Sequence, residues 1–150
     1  MNNYVIISEE DFQKARNRIK EAKKQGKTVV FLGNDEMNRK ILEKESIGIL
    51  LLRLGKRKDK LKQRNSGFNQ VLAKLAQKKD VVIGIDLDEI IGSDKKERAK
   101  IIARLMQNIK LCNKNKLKMK FISHNYTKDS HDLKSLGLVL GMPTWVTKSF

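Results

Sequence analysis

TVVFLGNDEMNRKILEKESIGILLL, residues 28–52, decides the fold. Residues 28–32 are a β-branched run of strand type, and Gly33-Asn34-Asp35 is a turn. From about Glu36 to Lys44, Met37, Ile41 and Leu42 return at helical spacing. Residues 47–52 are a strand again, apolar on both faces. Such a strand is covered on both sides, as in a parallel sheet, so the stretch is one β–α–β unit.

The same alternation extends outward. Tyr4–Ile7 is a short strand, and Ser8 followed by Glu9, Glu10 and Asp11 gives a hydroxyl cap with acids in the first helical turn. Phe12, Ala15, Ile19 and Ala22 share the inward face of that helix, and Gly26 ends it. After residue 52 a helix is expected over residues 68–79, with Phe68, Val71, Leu72 and Leu75 inward. A fourth strand is expected over residues 81–87. A long helix follows over residues 97–114, with Ala99, Ile102, Ala103, Met106 and Ile109 on one face and Ile101, Leu105 and Cys112 beside it. Residues 119–123 are a fifth strand. A short helix follows, with Leu133, Leu136, Val139 and Leu140 inward and Gly141 at its end. Pro143 breaks it, and residues 144–146 are read as a sixth strand. The fold class is therefore α/β, with alternating βα units and parallel strands. Residues 1–150 form a single domain, without a linker or low-complexity segment.

The chain carries 33 Lys and Arg against 17 Asp and Glu, a formal charge of +16. Self-repulsion of that size opposes compaction, so it points to a polyanionic partner, nucleic acid before anionic membrane. The charge is densest in GKRKDKLKQRNSGFNQVLAKLAQKK, residues 55–79. There Lys56, Arg57, Lys58, Lys60, Lys62 and Arg64 precede the Asn65-Ser66-Gly67 turn. No apolar run is long enough to span a bilayer, and no secretory apolar core opens the chain. The lone Cys112 forms no intrachain disulfide and reads as a small core residue, which fits a cytoplasmic setting.

In parallel α/β folds chemistry sits beyond the C-terminal ends of the strands. A metal-dependent phosphoesterase would need several His and carboxylates converging there. Asp35, Asp86, Asp88 and His124 supply at most one weak site, and Asp88 with Glu89 reads better as a turn and helix cap. Phosphate loops and nucleophile elbows are missing from the sequence. Arg39, Lys40, the basic loop and Lys128 instead share one rim, with Lys74 and Lys79 on the helix that follows the loop. Tyr126 is the one aromatic expected to be exposed near that rim. Contacts to phosphates of a folded RNA therefore fit better than base stacking.

The blocks NDEMNRKILEKESIGILLL, KRKD, NSGFNQVLAKLAQKKDVVIGIDL, ERAKIIARLMQNIKL and DLKSLGLVLGM resemble the archaeal ribonuclease P protein component 3 family, the counterpart of the eukaryotic thirty-kilodalton subunit. The resemblance covers about Gly33 to Met142. It implies a shortened or incomplete TIM (β/α) barrel of the polymerase-and-histidinol-phosphatase-like type. It also implies a protein that supports a catalytic RNA in removing the 5′ leader of precursor tRNA. The implied partners are the ribonuclease P RNA, a ferredoxin-like protein subunit and other ribonuclease P proteins, with precursor tRNA met indirectly and no membrane. The implied Mg2+ belongs to the RNA, with no cofactor on this chain.

By position, Asn38, Arg39, Arg57, Lys58, Asp59, Ser66, Gly67, Asn69 and Arg98 match family motifs. The expected RNA contacts are Arg39, Lys40, Arg57, Lys58, Arg64, Lys74, Lys79, Arg98 and Lys128. Asn38, Asp59, Ser66, Gly67 and Asn69 are the expected structural motif. Residues 60–65 resemble an insertion, Gln70 stands where the family often has His, and residues 86–89 lack a basic residue often found there. A closed barrel needs eight strands, so the expectation is a short barrel with open edges that a partner covers.

Overall fold

A computed structural model of the chain describes residues 3–150. Five strands, β1 (Tyr4–Ile7), β2 (Thr28–Phe31), β3 (Ile49–Leu52), β4 (Val82–Asp86) and β5 (Met119–Ile122), form one sheet in sequential order. Every pairing is parallel, with Tyr4 opposite Thr28, Leu52 opposite Ile85 and Asp86 opposite Ile122. The connecting helices are α1 (Phe12–Lys24), α2 (Asp35–Lys44), α3 (Gln70–Lys78), α4 (Leu87–Gly92) and α5 (Lys95–Lys114). Helices α6 (Ser130–Leu140) and α7 (Thr144–Thr147) follow β5.

Sequential order with crossovers of one hand places the helices on one side of the sheet. Burial alternates accordingly. Ile7, Phe31, Leu50, Ile83 and Phe121 join the main core under the helices. Val30, Ile49, Leu51 and Ile122 form a smaller cluster on the other face, flanked by Tyr4 and Ile6. The sheet does not close, and β1 and β5 are its edges. It curls enough that Tyr4 of β1 and Lys120 of β5 line one cleft of about 310 Å³. This is the expected α/β fold in its short, open form. Among the described residues no helix is long and apolar enough to cross a membrane.

Several local expectations are corrected. Helix α1 is capped by Asp11, whose Oδ1 accepts from Lys14 N at 2.8 Å, and not by Ser8. Both are good capping residues, and only Asp11 lies three residues before a free amide of the first turn. Helix α3 starts at Gln70, after an Asn69 cap, so Phe68 reaches the core from the loop and Val71 lies 54% exposed. Leu87 leaves the fourth strand for α4, because the Asp86 carboxylate caps that helix through Glu89 N. Residues 144–146 are helical: Pro143 starts a single turn in which Thr147 N bonds back to Pro143 O. Helix α5 presents Ile101, Leu105, Ile109 and Cys112 inward, while Met106 is 42% exposed. That helix is apolar on two adjoining faces, and Arg104 and Asn108, both buried, lie on the one chosen. Val139 is exposed on α6, whereas Gly137 and Leu140 are buried. Burial pushes the Cys112 thiol up to about 12, so it stays a neutral core group.

Candidate nucleic-acid interface

The long segment between β3 and α3 is fixed from inside, by its backbone. The Glu89 carboxylate accepts from Leu54 N at 2.9 Å and Gly55 N at 2.6 Å, and Glu97 accepts from Lys56 N. Arg104, only 1% exposed, reaches up from α5. Its guanidinium donates to Leu54 O at 2.7 Å, Arg57 O at 2.8 Å and Asp59 Oδ1 at 3.0 Å. Asp59 also accepts from Asn65 N, which closes the loop on itself. The hydrogen bond from Arg104, then that from Asn65, holds the Asp59 carboxyl below the usual carboxylate range. Gln107 donates to Arg64 O and to Ser66 Oγ. Arg57 latches the loop to the start of α2: its two terminal nitrogens donate to Asp35 at 3.1 and 2.9 Å, and its Nε donates to Arg53 O. The backbone is thus tied down, while Lys56, Lys58, Lys60 and Lys62 are exposed and hold no ion pair among the described residues.

The expected motif residues are structural in this sense. Asn38 is buried and its Oδ1 accepts from Gly33 N, bracing the turn after β2. Ser66 is buried and donates to Phe68 O. Gly67 has a φ of 68°, the left-handed region, directly against the Arg57 guanidinium. Asn69 caps α3 through Leu72 N.

The expected RNA contacts divide by what their charges already do. Arg39 and Lys40 stand on the outer face of α2 in exposed pairs with Glu43 and Glu36, which bind weakly in water. Arg64 is half exposed, 3.6 Å from Asp59. Lys74 is exposed on α3 without an ion pair among the described residues. Lys128 lies beyond β5, lining the cleft that Tyr4 and Lys120 share. By contrast, Arg57 serves the latch, Lys79 donates to Glu45 O, and Arg98 closes the end of α4 through Ile90 O, Ile91 O and Ser93 O. Arg39, Lys60 and Arg64 line one groove of about 520 Å³, and Lys128 lies outside it.

The candidate metal ligands are occupied otherwise. Asp35 holds Arg57, and Asp86 caps α4. Asp88 gathers the turn after β5, accepting from Ser123 Oγ, His124 N and Asn125 N. Partial burial works to raise its pKa, but those hydrogen bonds outweigh it and hold the carboxyl below its usual range. Among the described residues no group of three or more His, Cys, Asp or Glu is placed to hold a metal ion.

Arg104 and Glu89 are the organising residues that reading the sequence misses. For Arg104 the available signal is its place between Ile101 and Leu105, in phase with Asn108 and Cys112.

No family model matches the chain. Its fold is similar to that of a chain in the cryo-EM structure of archaeal ribonuclease P with mature tRNA, with a TM-score of 0.77 and 24% identity. The similarity covers 96% of this chain and 62% of the other, so this chain spans under two thirds of the length it matches.

Proposed function

We propose that the chain is a protein subunit of ribonuclease P, which supports a catalytic RNA in removing the 5′ leader of precursor tRNA. The observation that carries the reading is the fold similarity across 96% of the chain to a chain of a ribonuclease P bound to tRNA. The ordered family-like blocks and the rigid basic loop support the same reading. In it the chain binds the ribonuclease P RNA through phosphates, joins a ferredoxin-like subunit and the other protein subunits, and meets precursor tRNA indirectly. Mg2+ works at the RNA, and this chain contributes no catalytic group or cofactor. The setting is the cytoplasm.

RNA contacts are proposed for Arg39, Lys40, Lys58, Lys60, Lys62, Arg64, Lys74 and Lys128 as exposed cations. Arg57, Lys79 and Arg98 position backbone first and offer an RNA only what their internal bonds leave. The unpaired edges of β1 and β5 are where a partner would cover the open sheet.

Cleavage of precursor tRNA by a cognate catalytic RNA, with and without this chain and the ferredoxin-like subunit, tests the reading. A faster reaction with the chain is expected, and no cleavage by the chain alone. His124→Ala keeps the reconstituted rate within a few-fold, because the hydrogen bond from His124 to Asp88 runs through the backbone N, which the substitution retains. An EDTA-sensitive activity of the protein alone, or a loss of orders of magnitude in folded His124→Ala, would instead assign the chemistry to this chain.

A further inference from the structure

The groove beside the basic loop has a wall that phosphate binding does not require. Arg39, Lys60 and Arg64 bring positive charge to it. Asp35 is its one carboxylate, and Arg57 neutralises it. Between those charges stand the carboxamides of Gln63, Asn65, Asn69, Gln70 and Gln107, of which Gln70 spends both ends on Asn115. Each is held in place or left open in a particular way. Asn65 Oδ1 accepts from Gly67 N, and Asn69 Oδ1 caps α3, so each spends its oxygen inward and keeps its NH2. Gln107 spends its NH2 on Arg64 O and Ser66 Oγ and keeps its carbonyl. Gln63 has a partner among the described residues at neither end of its side chain. Val71, unexpectedly outward, adds an apolar patch to the same wall.

We infer that this groove takes one unpaired nucleotide projecting from a folded RNA, with the flanking phosphates on Arg39, Lys60 and Arg64. The inference rests on the reading of the chain as an RNA-binding subunit and gives it a specific site. Fixed amide donors beside a fixed carbonyl acceptor match the mixed donor–acceptor edge of a base. A phosphate offers acceptors only, and so does the carboxylate of an acidic peptide. The volume of about 520 Å³ is in the range that holds a small organic ligand. The aromatic in the wall, Phe68, is buried at 5% exposure. The base is therefore read along its edge, against Val71, without aromatic stacking. A base inside a helix presents no free Watson–Crick edge, so the groove selects an unpaired one.

The test uses the full chain and two labelled RNA hairpins that differ by a single bulged nucleotide, followed by fluorescence anisotropy. The wild type binds the bulged hairpin about tenfold more tightly, the effect of one or two well-made hydrogen bonds. The variant Gln63→Ala with Asn69→Ser removes two carboxamides, keeps a capping residue on α3 and changes no charge. It loses the preference while its affinity for the paired hairpin and its salt dependence stay as in the wild type. Equal affinity of the wild type for both hairpins overturns the inference, as does a folded variant that keeps the preference. Displacement of the bulged hairpin by oligo-aspartate as readily as by unlabelled RNA makes the groove a peptide site and also overturns it. A bulge preference without stimulated precursor cleavage removes the ribonuclease P reading and leaves the groove. Stimulated cleavage without the preference does the reverse.

Discussion

Arg104→Met releases the basic loop and destabilises the protein by on the order of 3 kcal/mol. Met fills much of the same buried space, so the change isolates the guanidinium. That group donates to Leu54 O, Arg57 O and Asp59, in a segment 45 or more positions away in sequence. The Leu54 carbonyl belongs to a buried residue, and without Arg104 it is left unpaired away from water. Lys at position 104 keeps the charge but offers one ammonium in place of a planar fork, so it restores only part of the stability. Urea unfolding gives the size of the effect, and amide hydrogen exchange over residues 56–66 locates it. If Arg104→Met unfolds at the wild-type midpoint with the loop amides still protected, Arg104 does not organise the loop.

Gly67→Val is the second large effect. At a φ of 68° a β-branched residue meets a backbone penalty of roughly 1–2 kcal/mol. In addition, a Cβ there would lie 2.7 Å from Arg57 Cζ and 2.8 Å from Asp35 Oδ1, inside the latch between them. The side chain must push the guanidinium off its carboxylate, and the loop then loses its tie to the start of α2. Gly67→Asn separates the two causes, because Asn tolerates the left-handed region but carries the same Cβ. The expected order of unfolding midpoints is wild type, then Asn, then Val. An Asn variant as stable as the wild type, with Arg57 still on Asp35, would leave backbone strain as the sole reason for glycine.

The sheet was legible because its signal is local. Residues 28–52 contain a strand, a capped helix and a strand, each with its own period, and the structure places β2, α2 and β3 there. The failures fall where local signals compete. Thr144, Trp145 and Val146 favour strands, yet Pro143 starts one helical turn there, with Thr147 N bonded to Pro143 O and Lys148 N to Thr144 O. Helix α5 has apolar residues on adjoining faces, and its orientation depends on where Arg104 finds acceptors. The site shows the same division. The positive charge of residues 56–64 is plain in the sequence. Which cations remain available is not, because it depends on partners far along the chain. Arg57 reaches Asp35 across 22 positions, and Lys79 reaches Glu45 across 34. Arg98 is the local exception: it turns back on carbonyls five to eight residues away, an arrangement that its charge alone does not announce.

The central claim is that a loop held rigid from beneath presents its free cations to RNA phosphates. RNA affinity measured against salt concentration tests it most directly, for the wild type and for Lys60→Ala with Lys62→Ala. Neither lysine takes part in an ion pair among the described residues, so the substitutions leave the loop's side-chain ties intact. Each phosphate bound releases condensed counterions and contributes roughly 0.7–0.9 to the slope of log affinity against log salt. The account predicts that the double variant, with an unchanged circular dichroism spectrum, binds more weakly and shows a slope shallower by about that amount for each phosphate it no longer holds. A folded double variant with the wild-type slope would contradict it, and would turn the basic loop toward a protein partner.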